Sequence, residues 1–305
     1  MKSKTYWEKR QEKLEEKSYK KGTKAYKEYV KTLQAAKCNI ERDISSLIAK
    51  YMQATNLSKQ DALKLLKGNE YRKWRKDIAG YVKELNSIED KDSIEFKKLT
   101  LEIETLAHRS RITRLDELNT QIQMELVRTA NKNRTQLQMT LESVYKDTCS
   151  ELAEDFGIKA TIDFNRVKKV LNYKWSGKNY SERIWGDTDK LAQTIKAEVT
   201  QGLNQGINYK KMSKRISDKF NTSMKNAERL VRTEVSYVHN RATQDSYKDA
   251  GIEKYEYLAT LDSRTSQVCA NLNGMKFNVK NAIVGINYPP MHPRCRSTTI
   301  PIIEF

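Results

Sequence analysis

The chain has 305 residues, of which 31% are charged and 38% hydrophobic, and its 57 Lys and Arg against 39 Asp and Glu give a net charge of +18. This length is sufficient for two domains with a sizeable core. The positive excess favours an acidic partner, with nucleic acid as the first candidate and simple solvation of helix faces as the alternative. Residues 1–37 carry 12 basic and 5 acidic side chains, and residues 205–305 carry 16 and 9, so both ends are basic.

Two classes of protein are disfavoured by the sequence. No apolar run approaches the roughly 20 residues that cross a bilayer, and the first residues lack the apolar stretch of a signal peptide. The four cysteines, at positions 38, 149, 269 and 295, do not form the pattern of a disulfide framework in a chain of this size. We therefore expect a protein without a membrane segment that is made in a reducing cytoplasm.

The first half of the chain has helical periodicity. Apolar residues recur at steps of three and four in residues 26–51, and a second helical face covers residues 74–88. Between them, Ser58 and Asp61 fit a capping box. Residues 81–156 contain neither glycine nor proline. This half is predicted to be an elongated helical bundle or coiled coil.

The composition changes near Gly157, where tryptophans, glycines and turn residues appear. We place a boundary there, which gives an elongated helical region at 1–154 and a compact domain at 155–305. Three short helices are expected to follow the boundary. Their predicted end residues are Asp187 or Thr188, Asn208, Thr222 or Ser223, and, for the C-terminal end of the third helix, Gly251.

Strand signals follow Gly251. Residues 254–262 alternate, with Tyr255 and Tyr257 on one face. Asn273 and Gly274 are a turn signal before a second strand at 276–279, and residues 297–303 are a candidate third strand. The fold class is therefore mainly α, with a small α+β C-terminal domain that ends in a small antiparallel sheet.

One carboxylate lies on an apolar helix face. Glu234 is four residues after Leu230 and four before Val238, and a carboxylate there is costly unless cations or hydrogen-bond donors meet it. A buried salt bridge to an arginine of residues 264–296 is one interpretation. A general base or a metal ligand is the other.

A second group combines thiol and imidazole ligand types. Cys269, His292 and Cys295 carry the groups that Zn²⁺ prefers, and the prolines around His292 are rigid enough to hold a turn. The fourth ligand would be Asp262, Glu234 or water. The alternative is a packed cysteine pair with a structural histidine. No phosphate-binding glycine loop or known hydrolase motif occurs, so no catalytic residues are assigned.

Three separated motifs occur in order along the second half of the chain: Arg232, Thr233 and Glu234; Asp262, Arg264, Thr265, Cys269 and Gly274; and Pro289, Pro290, His292, Pro293, Cys295 and Arg296. Together they resemble the C-terminal domain of the Mu F-like head morphogenesis proteins of tailed phages. The resemblance covers about residues 155–305. Many relatives carry a cysteine at the position of Ser266, so a site in this chain would have three protein ligands.

The resemblance implies a minor capsid protein inside the virion head near the portal, which is made in the host cytoplasm and takes part in procapsid assembly. Its implied partners are the portal protein, scaffold or major capsid protein, and double-stranded DNA, with ejection alongside the genome in some relatives. No membrane and no small-molecule substrate are implied. The alternative is an enzyme, most plausibly a metal-dependent nuclease in which Glu234 or Asp262 activates water beside an ion at Cys269, His292 and Cys295.

Overall fold

The computed structural model describes residues 2–51, 63–160, 162–205 and 209–303. Within these ranges the chain is mainly helical, 73% in all, with a small three-stranded antiparallel sheet near the C-terminus, which confirms the predicted fold class. The helices are α1 (Lys4–Tyr51), α2 (Gly68–Ser87), α3 (Ile94–His108), α4 (Arg114–Phe156), α5 (Phe164–Asn172), α6 (Tyr180–Gln205), α7 (Tyr209–Asp249) and α8 (Gln267–Leu272). The strands are β1 (Lys254–Leu258), β2 (Lys276–Asn278) and β3 (Thr298–Ile302).

Residues 81–156, which contain no glycine or proline, do not form one continuous helix. Side chains at Ser93 and Thr113 cap the starts of two separate helices. The Ser93 hydroxyl accepts a hydrogen bond from the backbone N–H of Phe96 at the start of α3. Before α4, the Thr113 hydroxyl accepts from the Asp116 N–H at 3.0 Å and the Asp116 carboxylate accepts from the Thr113 N–H at 2.9 Å. Such a reciprocal pair satisfies backbone donors that a helix start leaves open. The 43 residues of α4 then continue without a break.

Two of the predicted helix starts are wrong. Thr188 lies inside α6 and Thr222 lies inside α7. Their hydroxyls donate to carbonyls four residues earlier, at 2.8 and 3.1 Å, an alternative to capping that is open to threonine within a helix. Asp187 and Ser223 likewise lie within helices. The predicted features at Ser58, Asp61 and Asn208 lie outside the described residues.

The predicted end of α7 at Gly251 is confirmed. Gly251 has φ 69°, a left-handed conformation that glycine adopts without steric cost. The N–H of Ile252 donates to the Tyr247 carbonyl at 2.8 Å and that of Gly251 to the Lys248 carbonyl at 3.1 Å. These two bonds close the last turn in the Schellman arrangement.

Contacts divide the chain into two compact units that alternate along the sequence. Unit 1 comprises residues 1–28, 135–180 and 227–305, and unit 2 comprises residues 29–134 and 181–226. Both predicted domains, 1–154 and 155–305, contribute segments to each unit. In unit 2, buried apolar residues of several helices form the core, and Phe96 packs on Trp185 with 4.7 Å between ring centroids.

In unit 1 the start of α1 packs against the end of the chain. Trp7 and Leu14 of α1, Leu152 of α4 and Ile300 of β3 form one buried cluster. Trp7 is 2% exposed and lies 5.0 Å from the ring of Phe156. The α1 segment is therefore part of the core that supports the C-terminal sheet.

The sheet has the order β2-β1-β3, with β1 antiparallel to both neighbours. Tyr255 and Tyr257, which are both fully buried, belong to different clusters. Tyr255 packs with Tyr247 and Tyr288, and Tyr257 packs with Cys269 and Cys295. The sheet thus supports the loops that hold the predicted site residues.

One face of α1 is ion-paired to α4. Basic side chains of α1, together with Lys2 just before it, contact carboxylates that are spaced one helical turn apart on α4. The pairs are Lys2 and Arg10 with Asp155, Arg10 and Lys17 with Glu151, and Lys17 and Lys21 with Asp147. Much of the basic charge near the N-terminus is therefore neutralised within the chain.

None of the helices in the described ranges combines the length and the apolar composition that crossing a membrane requires.

Replacing Trp7 by alanine is expected to lower the free energy of unfolding by about 3–5 kcal/mol, because it removes a buried aromatic ring and leaves a cavity. Urea unfolding followed by circular dichroism measures this. Phe164→Ala serves as the control, since Phe164 is an aromatic residue of the same unit that is 71% exposed, and its loss should change the midpoint little. An unchanged midpoint in Trp7→Ala would show that α1 does not support this core.

Candidate metal centre

Three ligand-type side chains converge in unit 1. The Cys269 Sγ lies 3.4 Å from the His292 Nε2 and 3.7 Å from the Cys295 Sγ. One potential ligand atom from each residue lies within 4.8 Å of the other two. Cys269 and Cys295 are buried and His292 is partly exposed. The structure therefore brings together residues that are separated by up to 26 positions.

A tight turn places His292 and Cys295 on the same side of the loop. The Cys295 N–H donates to the His292 carbonyl at 3.1 Å, with Pro293 second and Arg294 third in the turn. Arg294 has φ 61°, and this pattern is typical of a type II turn, whose third position favours glycine or asparagine. Arg294 keeps this uncommon conformation while its side chain pairs with Glu228 at 2.8 Å.

The start of α8 positions Cys269. The Ser266 hydroxyl caps α8 by accepting from the Cys269 N–H at 3.3 Å, and the same oxygen lies 2.9 Å from the His292 Nε2. Ser266 thus lies directly beside the three ligand-type groups. The cap fixes the main chain of Cys269 relative to His292.

The two thiols lie in an apolar cluster with Tyr257 and Ala259. The Tyr257 hydroxyl donates to the Cys269 Sγ at 3.4 Å. A hydrogen bond from the Cys295 thiol lowers the pKa of Cys269, and the same interaction together with burial raises the pKa of Cys295. One proton shared between the two sulfur atoms accounts for these opposite directions.

Asp262, a predicted fourth ligand, is directed elsewhere. Its carboxylate accepts from the guanidinium of Arg296 at 2.7 Å and from that of Arg264 at 3.1 Å. It also accepts from the Arg264 N–H at 2.8 Å, which closes a local turn. The hydrogen bond from Arg296 and the other donors hold the pKa of Asp262 well below its usual range. Asp262 is therefore a weak base, and it connects the loop before α8 to the loop before β3.

Gly274, Thr265 and the three prolines of the motifs shape the loops around the site and are not among its ligand-type residues. Gly274 follows α8 with φ 78° and its N–H donates to the Tyr257 carbonyl at 2.8 Å. The Thr265 hydroxyl donates to the Thr260 carbonyl at 2.6 Å. Pro289 and Pro290 are buried, whereas Pro293 is exposed.

The Arg232-Thr233-Glu234 segment contacts the same loop through its middle residue. Thr233 accepts from the Arg294 N–H at 3.1 Å, and Arg232 is exposed and pairs with Glu228 at 3.0 Å. Glu234 is 4% exposed, so its predicted burial on α7 is confirmed. An arginine partner for Glu234 stays a prediction.

Two residues of α1 that the sequence pattern did not predict, Glu15 and Tyr19, lie beside the site. The Tyr19 hydroxyl donates to the Cys295 carbonyl at 2.9 Å. Burial raises the pKa of Glu15 to about 8, an effect that Tyr19 and Arg296 oppose and Glu12 reinforces. One carboxylate oxygen of Glu15 is buried without a hydrogen-bond partner. In the sequence, Glu15 lies one helical turn from Gln11 and one from Tyr19. This spacing alone does not indicate that Glu15 is buried near residues 295 and 296.

The raised pKa of Glu15 gives stability a defined pH dependence. The folded chain retains this proton up to about pH 8, whereas the unfolded chain releases it near 4.5, the ordinary pKa of a glutamate carboxyl. The free energy of unfolding therefore falls as pH rises through that interval. We expect Glu15→Gln to reduce this slope, as measured by urea unfolding at pH 5, 7 and 9.

Glu16→Gln is the matched control. Glu16 pairs with Lys20 at 2.8 Å, and this hydrogen bond lowers the pKa of Glu16. The control should therefore keep the wild-type slope above pH 5. Equal slopes in wild type and Glu15→Gln would contradict a buried protonated carboxyl at this position.

Comparison with known proteins gives one family match. Residues 193–300 match the family described as Phage Mu protein F like protein. This segment includes the end of α6, all of α7, the strands β1 and β2, the first residues of β3 and all three ligand-type residues.

Two curated relatives are similar over part of the chain. The NAD(+)–arginine ADP-ribosyltransferase EFV of Enterococcus faecalis is 28% identical over 157 residues, which are 47% of this chain and 32% of that protein. An uncharacterized protein of Haemophilus influenzae is 27% identical over 110 residues, 36% of this chain and 25% of that protein. The chain thus spans a third or less of the length of these relatives. No solved structure matches it.

Proposed function

We propose that this chain, whose residues 193–300 match the Phage Mu F-like family, is a head morphogenesis protein of a tailed bacteriophage. The family match supports this proposal, and the arrangement of the motif residues in one compact unit is consistent with it. The activity named for the enterococcal relative belongs to that protein, of which this chain spans 32%, and nothing in the proposal depends on it.

In the proposed role the protein is a minor component inside the head, near the portal. Unit 1 carries the family motifs and would contact the portal, the scaffold or the major capsid protein. The basic surface of α1 would contact packaged double-stranded DNA. The protein would be a candidate for departure with the genome at ejection.

The DNA contact is assigned to a lysine stripe on α1, which consists of Lys9, Lys13, Lys20, Lys24 and Lys27. All five side chains are exposed. Their spacings of four, seven, four and three residues place them on one face of the helix. Over 18 residues at 1.5 Å each, the stripe is about 27 Å long.

The lysine stripe is separate from the ion-paired face of α1. The ion-paired face contacts carboxylates of α4 through Arg10, Lys17 and Lys21. The lysine stripe lies about 90° away from this face around the axis of α1. Glu16 lies on the stripe face and pairs with Lys20. The other four lysines leave a run of positive charge that is complementary to the phosphates of duplex DNA.

Binding to duplex DNA should therefore be sensitive to salt. We expect affinity to fall at least tenfold between roughly 50 and 200 mM salt, because each neutralised phosphate releases counterions. Replacing all five stripe lysines by glutamine should lower affinity at least tenfold at low salt and reduce the salt dependence. Fluorescence anisotropy with a labelled duplex of random sequence measures both quantities.

A control variant with the same change of charge tests whether position matters. Five exposed lysines elsewhere in unit 1 are suitable for replacement by glutamine: Lys159, Lys168, Lys169, Lys276 and Lys280. This variant should retain most of the affinity. Equal losses in the two variants would contradict a localised surface, and affinity that is independent of salt would contradict phosphate contact.

Co-assembly tests the head function directly. We expect the chain to sediment with procapsids when it is expressed with the portal, scaffold and major capsid proteins of its own phage, and to be lost from particles that form without portal. Quantitative mass spectrometry of gradient-purified particles measures its copy number. Absence from the particles would contradict the head function, and equal incorporation without portal would contradict only the portal contact.

A further inference from the structure

The distances around Cys269 have the dimensions of a tetrahedral zinc site. Zinc binds thiolate sulfur at about 2.3 Å and imidazole nitrogen at about 2.0–2.1 Å, so tetrahedral angles require S···S and S···N separations of about 3.8 and 3.6 Å. The observed separations are 3.7 Å between the two sulfur atoms and 3.4 Å between Cys269 Sγ and His292 Nε2. The third separation, between His292 and Cys295, is within 4.8 Å. A small inward movement of these two residues would therefore bring all three groups onto one ion.

The tautomer of His292 suits metal binding through Nε2. The His292 Nδ1 lies 2.9 Å from the Pro293 carbonyl oxygen. A carbonyl can only accept, so Nδ1 carries the proton and Nε2 carries the lone pair. This lone pair lies beside Cys269 Sγ. A backbone carbonyl that fixes the opposite ring nitrogen is the usual outer support of a metal-binding histidine.

Ser266 lies next to the open fourth corner of the site, beside His292 and Cys269. Its hydroxyl is 2.9 Å from the His292 Nε2, and it also caps the helix that carries Cys269. A neutral serine hydroxyl is not among the usual ligands of zinc, whereas thiolate, imidazole, carboxylate and water are. The corner is therefore suited to a water molecule that Ser266 hydrogen-bonds.

We propose that Cys269, His292 and Cys295 bind one Zn²⁺ ion, with a water molecule beside Ser266 as the fourth ligand. This site is independent of the proposed head function, because its evidence is the local arrangement of donor atoms. The ion would tie α8 to the turn at residues 292–295. The alternative is a site without metal, in which the thiols of Cys269 and Cys295 share one proton in an apolar cluster.

Metal content of the full-length chain tests the proposal. Protein purified with a thiol reductant and exposed to Zn²⁺ should retain about one ion per chain after gel filtration, as measured by inductively coupled plasma mass spectrometry. Cobalt(II) in place of zinc should give thiolate-to-metal charge-transfer bands and the strong visible bands of tetrahedral coordination. Less than a tenth of an ion per chain, or a cobalt spectrum without thiolate bands, would overturn the proposal.

Substitutions identify the ligands. His292→Ala and Cys295→Ser should each weaken Zn²⁺ affinity at least tenfold in competition with a chromophoric chelator. Cys149→Ser and Cys38→Ser remove the other two free cysteines and should keep wild-type affinity. Wild-type affinity in both ligand variants would overturn the assignment.

Ser266→Cys provides a test that does not depend on loss of folding. A thiolate at this corner completes a set of three cysteines and one histidine, so we expect Zn²⁺ affinity to increase at least tenfold. Ser266→Ala should retain one bound ion. An unchanged affinity in Ser266→Cys, with circular dichroism like that of wild type, would overturn the placement of the fourth position.

Discussion

The C-terminal half of α7 is buried on nearly all sides, and the rest of unit 1 has to satisfy its polar groups. From Thr233 to Tyr247 every side chain except Arg241 is buried. Nine of these buried side chains are polar or charged: Thr233, Glu234, Ser236, His239, Asn240, Thr243, Gln244, Asp245 and Ser246. Because a buried polar group left without a partner costs roughly 1–3 kcal/mol, the helix requires specific neighbours as well as apolar ones.

Those neighbours come from distant parts of the sequence. The Tyr145 hydroxyl of α4 donates to Asp245 at 2.8 Å, and the Tyr288 hydroxyl donates to the Asn240 carbonyl at 2.9 Å. Burial lowers the pKa of His239 to about 4, so protonation of this residue in acid opposes folding. Helices α1 and α4 both pack against α7 but lie outside residues 193–300, the segment that matches the family. The fold of that segment therefore depends on residues outside it.

Local signals predict the sheet and part of the site. Alternating residues indicate β1, and the spacing of His292 and Cys295 fits a tight turn, so both can be read from a few neighbouring positions. The contributions of Glu15 and Tyr19 could not be predicted, because packing between residues almost 280 positions apart leaves no local pattern. The helix starts at Ser93 and Thr113 were also missed, since a hydroxyl N-cap can start a new helix where the sequence has no glycine or proline.

The turn that carries His292 and Cys295 is held through its main chain. The Arg294 N–H donates to Thr233 and the Cys295 carbonyl accepts from Tyr19, while the side chains of Pro293 and Arg294 are exposed. Backbone anchoring of this kind separates the shape of a loop from the chemistry of its outer surface. A substitution at Arg294 that the left-handed backbone accepts would therefore change the outer surface of the loop while the inner residues keep their geometry.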